Sequence, residues 1–366
     1  MNNPFRPTFG ASPRVWAGRE AVLVEFGRAL DNGPGDPHRS IIVSGSRGIG
    51  KTVLLTELED IAAARGWVVL RASGREGMAE TLTNSTIPET LERLDPQPDR
   101  KVTGVSVAGL GSIRAELTDH SPVPRLITRL RELLREIQTG VLITLDEVQD
   151  ADPDDLAQIA VAYQDLVRDD AEIALAMAGL TRGVNRLLDL PGATFLRRAR
   201  HYELGPLTLD DATRTLTLTA AESGRPFTED AAAAAARFTR GYPYLVQLIG
   251  YLAWENAGES ITTEVVEAAR PEAIDRLGTQ VHQPSLRDVP PRQREYLDAL
   301  ARLGGHDVAG AALAEALGRP LTSLSDTRAK LIERDLITPA GWGAVSFAQP
   351  YLGDYILNHR GPRRVS

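Results

Sequence analysis

Residues 45–52 read Gly-Ser-Arg-Gly-Ile-Gly-Lys-Thr, and they lie between two runs of different character. Before them, Ile41-Ile-Val43 is a continuous apolar run of the kind found in strands buried on both faces. After them, Thr52 to Arg65 puts Leu54, Leu55, Leu58 and Ile61 on one side of a helix that Gly66 closes. The pattern G-x-x-x-x-G-K-T in that setting predicts strand, glycine-rich loop, helix. Its glycines let backbone N–H groups turn inward around an anion, and the helix N-terminus points at the same place. Lys51 brings a full charge to the β- and γ-phosphates of a nucleotide, and Thr52 brings a hydroxyl for Mg²⁺.

A second apolar run, Val141-Leu-Ile-Thr-Leu145, ends in Asp146-Glu147. A carboxylate at the end of a buried strand suits Mg²⁺, and a second one beside it is placed to take a proton from water. Asp146 receives the first role and Glu147 the second, because the glycine loop lies about a hundred residues upstream. Asp150, Asp152, Asp154 and Asp155 follow and read as a solvated loop and a helix cap.

Strands at Trp67–Leu70, Ile173–Met177 and His201–Leu204 alternate with helices at 19–30, 123–138 and 156–167, which predicts a parallel α/β sheet. Residues 101–118 alternate around Gly109-Leu-Gly111 and predict a β-hairpin. After Pro206 the strands stop. Four helices are expected at 209–222, 229–239, 244–256 and 262–276, then a polar, proline-containing linker over 277–291. Helices at 292–303, 308–317 and 321–334 and a hairpin pairing 336–338 with 345–347 follow the order of a winged helix-turn-helix. The domains expected are 1–205, 206–276 and 285–360.

These features resemble AAA+ and STAND ATPases, and most of all the origin-recognition-like AAA ATPase domain of bacterial ATP-binding proteins. The resemblance implies a P-loop NTPase fold of the AAA+/ASCE type: a five-strand parallel sheet with the Asp146 strand set apart from the loop strand, a helical lid and a C-terminal winged helix. It implies ATP as nucleotide and Mg²⁺ as metal. Gly45, Ser46, Arg47, Gly48, Ile49, Gly50, Lys51, Thr52 and Val53 would hold the nucleotide, and Thr52 and Asp146 the metal. Residues Pro4-Phe5 through Trp16–Glu20 resemble the segment that packs near adenine. Gly241-Tyr-Pro243 resembles the G-x-P through which STAND lids touch nucleotide, so Pro243 joins the binding set. Thr181, after the fourth strand, stands where the family's sensor 1 residue lies. Arg197, Arg198 and Arg200 precede the fifth strand, where an arginine finger is often found, and Arg198 is the choice among them. The family's sensor 2 arginine has no match in its usual form, since Arg240 is off-pattern. That favours a switch over a ring-forming motor. Tyr242, Tyr244, Tyr251 and Trp254 fall at helical spacing and read as lid core.

Composition narrows the alternatives. With no cysteine, disulfides, thiolate metal sites and cysteine nucleophiles are excluded, and the six histidines show no metal-ligand spacing. The net charge of −8 argues against a basic coat for non-specific nucleic-acid binding. Residues 285–366 hold eleven Lys and Arg against nine Asp and Glu, a weak basic footprint. Arg319, Arg328, Lys330 and Arg334 line the helix that would read DNA, so an ATP-gated DNA-binding protein stands as the second reading, behind a nucleotide switch that acts on a protein partner. A nucleotide-dependent oligomer is compatible with both. No apolar run reaches the length of a membrane span, and the expected location is the cytoplasm.

Overall fold

A computed structural model describes residues 2–8, 10–94, 125–189 and 194–359. The expected hairpin at 101–118 lies outside them. Helix α1 (Glu20–Asn32) leads into strand β1 (Ser40–Gly45), the glycine loop and helix α2 (Lys51–Ala63). Strand β2 (Val68–Ser73), a helical stretch over 78–94, and helix α3 (Leu126–Glu136) come next. Strand β3 (Val141–Asp146), helix α4 (Pro153–Arg168), strand β4 (Ile173–Gly179), helix α5 (Thr181–Asp189) and strand β5 (Arg200–Leu204) complete the α/β part.

The five strands are parallel and ordered β2-β3-β4-β1-β5. The two central apolar runs explain that order. β3 is buried along its length up to Asp146, and β4 is buried throughout, because helices cover both faces of the middle of the sheet. β2 and β5 at the edges alternate or stay exposed. One face packs Phe26, Leu54, Leu58 and Trp67 against the sheet, the other Leu130, Leu133, Ile159 and Tyr163. β4 therefore separates β3 from β1, as the family resemblance implies. The register sets Ser44 beside Gly179 and Ser73 beside Asp146, so Gly45, Asp146 and Gly179 end the strands on one edge. That edge, outside the carboxyl ends of the strands, is where open α/β sheets bind ligands.

Helices α6 (Leu209–Ala221), α7 (Glu229–Thr239), α8 (Pro243–Asn256) and α9 (Thr263–Leu277) form the lid around one core. Thr208 and Thr228 cap α6 and α7, each accepting a backbone N–H through its hydroxyl. The chain's start belongs to this core. Phe5 is 2% exposed and fills the space left by Gly250, where a Cβ would fall 2.4 Å from its ring. Residues 10–19 then cross from the lid to α1.

The linker expected over 277–291 is mostly helical. α9 runs on into a π-turn at Gly278–His282 and a further turn at Gln283–Leu286. Leu277 and Val281 remain in the lid core, and Gly278 lets Tyr355 pack where a side chain would stand. The polar composition hid this, because the apolar spacing is carried by few residues. A last unit follows: α10 (Pro291–Arg302), β6 (Val308–Ala309), α11 (Gly310–Leu317), α12 (Ser325–Glu333), β7 (Ile337–Ala340), β8 (Ala344–Phe347) and α13 (Leu352–Asn358). Its strands are antiparallel in the order β6-β8-β7, over a core of its own. α13 was not expected from the sequence. Among the described residues no helix is long and apolar enough to cross a membrane.

Candidate functional site

The loop between β1 and α2 is shaped by its glycines. Gly45, Gly48 and Gly50 all have positive φ, of 154°, 73° and 98°. L side chains rarely adopt these angles, so the loop can curl with its N–H groups inward only at such positions. Lys51 is buried and folds back over the loop, donating from Nζ to the carbonyls of Gly45 (3.0 Å) and Ser46 (2.9 Å). Burial pulls its pKa down, opposed by the charges of Glu147, Asp335 and Asp146.

β3 delivers its carboxylates to the same place. The Thr52 hydroxyl donates to Asp146 Oδ2 at 2.6 Å, across 94 residues of sequence. Two hard oxygen donors held this close, one of them a carboxylate, fit Mg²⁺. The backbone reverses at Glu147, which takes a left-handed conformation with φ 51°. Its N–H donates to Asp146 Oδ1 at 2.8 Å, so the two neighbouring carboxylates are held in different directions. Gly74 is needed beside this turn, since a Cβ there would lie 2.1 Å from the Glu147 carbonyl oxygen. Asp152 caps α4 by accepting the N–H groups of Asp154 and Asp155, and takes no part in the site.

Gln149 was not singled out in the sequence. Its amide nitrogen donates to Glu147 Oε2, and its amide oxygen accepts the Leu180 N–H at 2.9 Å. One side chain thus ties the Glu147 carboxylate to the end of β4. The space for it is made by Gly183, where a Cβ would fall 2.1 Å from Gln149 Cβ. Thr181, at the start of α5, points elsewhere, with its hydroxyl 3.5 Å from Glu203 on β5. A polar residue two places after the acidic pair was the only available signal for Gln149.

The lid closes the site from above. Arg240 and Gly241 are both left-handed, with φ of 51° and 71°, and α8 begins at Pro243. Tyr242, between Gly241 and Pro243, is 3% exposed and belongs to the lid core, as its spacing predicts. Its hydroxyl also reaches the loop, donating to the Arg47 carbonyl at 3.0 Å. Gly48 is what admits it, because a Cβ there would sit 1.9 Å from that hydroxyl oxygen. Tyr244 and Trp254 hold Gln280 (2.6 Å) and Ser223 (2.9 Å) within the lid and its extension. Arg240 faces away from the loop, stacked 4.4 Å over the Tyr351 ring.

A cavity of ≈ 680 Å³ opens beside the loop. Its floor is Gly48–Leu54, its walls are Trp16, Ala17 and Arg19 on one side and Pro243, Tyr244 and Gln247 on the other. Glu147 and Asp150 border the open end. Of the segment before the loop, residues 6–8 and several between Gly10 and Arg19 supply the wall, while Phe5 is committed to the lid. The size and mixed lining suit a nucleotide-sized ligand. Val53 lies on this floor. Arg198 does not reach it: the residue is exposed just before β5, at the end of the sheet opposite Gly45, and Arg197 is held by the Leu188 carbonyl at 2.8 Å. Asp335, from the turn after α12, does reach the loop; its carboxylate accepts the Arg47 N–H at 2.6 Å. Nothing in the local sequence marks it.

Residues 15–172 match the family model of the AAA ATPase domain. Residues 279–356 match that of a domain of unknown function (DUF8462). No curated protein matches the sequence. Among solved structures, the chain is similar to the Walker-type ATPase PABY2304 of Pyrococcus abyssi, with a TM-score of 0.67 at 16% identity over 93% of this chain and 96% of that one. It is also similar to the Aeropyrum pernix ORC2 protein in its ADPNP–ADP complexes, with a TM-score of 0.63 at 16% identity over 96% of both. At such identities the likeness establishes the fold.

Proposed function

We infer, for a chain that carries an AAA ATPase domain at residues 15–172 on an origin-recognition-like AAA+ P-loop fold, that it hydrolyses ATP slowly and works as a nucleotide-dependent switch of the STAND type. One observation carries the reading. The Thr52 hydroxyl and the Asp146 carboxylate meet at 2.6 Å beside Glu147, at the mouth of a loop that holds Lys51.

In this reading the backbone N–H groups of Ser46–Thr52 take the phosphate oxygens. Lys51 leaves the carbonyls of Gly45 and Ser46 for the β- and γ-phosphates. Thr52 and Asp146 would hold Mg²⁺, which neutralises charge on the phosphates when bound. Glu147 takes a proton from water as its oxygen attacks the γ-phosphorus; the bond to the β–γ bridging oxygen breaks, giving ADP and phosphate. Gln149 aims the Glu147 carboxylate, and its bond to Leu180 relates that aim to β4. Thr181, the sensor 1 candidate, is next in sequence to this link, with its hydroxyl toward Glu203. Trp16 and the lid wall would enclose the base.

The switch reading is supported by Tyr242, which connects the lid to the loop that changes occupancy. Loss of the γ-phosphate would alter that connection, and the lid would carry the C-terminal unit with it. This unit has the order of a winged helix, and two of the four basic residues on or beside the helix that would read DNA are paired within the unit. Lys330 meets Asp326 at 2.9 Å and Arg319 meets Glu295 at 2.7 Å. Together with the near-balanced charge of the unit, that pairing weakens its basic footprint and favours the switch reading over a DNA-reading helix. Arg198, exposed and remote from its own loop, suits a role toward a neighbouring subunit's γ-phosphate if the chain oligomerises.

Steady-state ATP turnover tests the proposal, with Glu147→Gln as the blank and with duplex DNA added at low salt. Slow turnover that needs Glu147 and ignores DNA is the expected result. DNA-stimulated turnover would replace the switch with the DNA-gated reading. Turnover unchanged in Glu147→Gln would remove Glu147 as the base.

A further inference from the structure

The C-terminal unit contributes an anion to the phosphate-binding loop. Asp335 follows α12 in a left-handed turn with φ 57°, and its carboxylate accepts the Arg47 N–H at 2.6 Å, across 288 residues of sequence. The side chain is partly buried, and the positive groups facing it are Lys51 and Arg47. Burial pushes its carboxyl up, and the Arg47 N–H and the two charges pull it back. The carboxylate thus uses a backbone N–H of the loop and the field of Lys51, features that fit the loop to a phosphate.

We propose that Asp335 is a built-in phosphate mimic: the C-terminal unit plugs the loop, and a nucleotide's phosphates must displace it. The proposal rests on the reading of residues 45–52 as a nucleotide site. Two anions cannot share the Arg47 N–H, and like charges at that distance repel strongly in a partly buried place. Nucleotide binding and docking of the unit are therefore antagonistic, and by linkage each weakens the other by the same factor.

The contacts of the unit show how the plug can leave. Its strong attachments run to the lid. The Tyr351 hydroxyl donates to the Phe238 carbonyl at 2.7 Å, its ring packs on the lid core, and Arg240 stacks on that ring. Toward the α/β part, the neighbouring charged contact is Arg186–Glu333 at 2.9 Å, both side chains well exposed to solvent. An exposed pair of this kind is weak. Among the described residues the unit's core is separate from those of the α/β part, so in this proposal an occupant of the loop ejects Asp335, and the unit moves with the lid, without dismantling a hydrophobic core. Tyr242 lies on the same lid and contacts the same residue, Arg47, so both connections to the loop change together.

Calorimetric titration of the full chain with ATP and with ADP, in Mg²⁺, tests this. Asp335→Asn removes the charge, and Asp335→Gly also removes the acceptor; both residues accept a left-handed φ, so the turn survives. Both variants should bind nucleotide about tenfold more tightly than the wild type, within the ~5–150-fold range usual for coupled sites. Affinity equal to or weaker than that of the wild type in both would overturn the plug while leaving the nucleotide site intact. Absence of binding in the wild type and in both variants would overturn the nucleotide site itself, and the plug with it. A wild type that does not bind beside an Asp335→Gly that does would support the plug in its strongest form. A second test uses the lack of cysteine in the chain. Arg186→Cys with Glu333→Cys, joined by a short bis-maleimide, should hold the unit docked and weaken nucleotide binding. Cross-linked protein that binds as well as the same variant before cross-linking would refute the plug.

Discussion

Two aspartates reach the glycine loop, and they are held in opposite ways. Asp146 ends a strand that is hydrogen-bonded on both sides, to β2 and β4, and buried up to its last residue. It meets Thr52 at the root of α2. Asp335 lies in the turn after a short helix of a unit with a separate core and reaches the loop at Arg47. Moving Asp146 would require breaking the sheet. Moving Asp335 requires the loss of one charge-assisted hydrogen bond and one exposed ion pair, the latter worth ~0–1 kcal/mol. The first is fixed equipment of the site; the second is suited to come and go. A carboxylate's role here follows from what its backbone is attached to, since the side chains are chemically identical.

The comparison is broken or sharpened most by exchanging the two charges. Asp146→Asn should lower ATP turnover by about 10²–10³, the scale of losing one electrostatic stabiliser at a reacting centre, whereas Asp335→Asn should tighten nucleotide binding. The same sign for both in a paired measurement of turnover and affinity would erase the distinction. Next in size is Gln149→Ala. Release of the Glu147 carboxylate should reduce kcat by about tenfold or more with KM little changed, since small misplacements of a catalytic group are costly. An unchanged kcat would make Gln149 a packing residue. Tyr242→Phe removes one hydrogen bond, worth ~1 kcal/mol, between lid and loop. Amide exchange of residues 45–50 in the nucleotide-free protein should rise by about fivefold, and an identical exchange rate would sever the lid from the loop.

The smallest effect belongs to the joint between lid and C-terminal unit. His282 is 1% exposed and donates from Nδ1 to Gln349 Oε1 at 3.1 Å, and among the described residues its Nε2 finds no hydrogen-bond partner. Burial pushes its pKa down to about 4 from an ordinary 6.5. The folded chain therefore keeps His282 neutral where the unfolded chain protonates it. Its contribution to stability is full above pH 6.5 and is lost as the pH falls toward 4. Thermal unfolding followed from pH 7 to pH 4.5 should show this decline, and His282→Gln should flatten it. A slope unaffected by the substitution would place the acid sensitivity elsewhere.

Much of the site was legible because its chemistry is local. Eight consecutive residues specify the loop, since glycine's allowed φ and the adjoining strand and helix are properties of neighbouring positions. Asp146 and Glu147 were legible for a related reason: an apolar run long enough for a buried strand can end on only one edge of a parallel sheet, and that edge carries the loop. Tyr242 was half legible. Its spacing gave the lid core, while its hydroxyl bond depended on the loop's distance and on the gap at Gly48. Residues 278–286, within the linker expected over 277–291, are helical although few apolar residues mark them, and the partner that packs there, Tyr355, comes more than seventy residues later.

While the order of the central strands was implied only by a resemblance, the sequence by itself determined the strand–loop–helix, the lid helices and the acidic pair. Each follows from period, turn chemistry or a short motif. Only the tertiary structure decided that Gln149 bridges Glu147 to β4, that Phe5 belongs to the lid, that Arg198 is remote from the loop, and that Asp335 closes on Arg47. These are meetings of groups far apart along the chain. No local energy term encodes them, because each exists only after separate cores have formed and docked, and the contact is then set by the geometry of whole units.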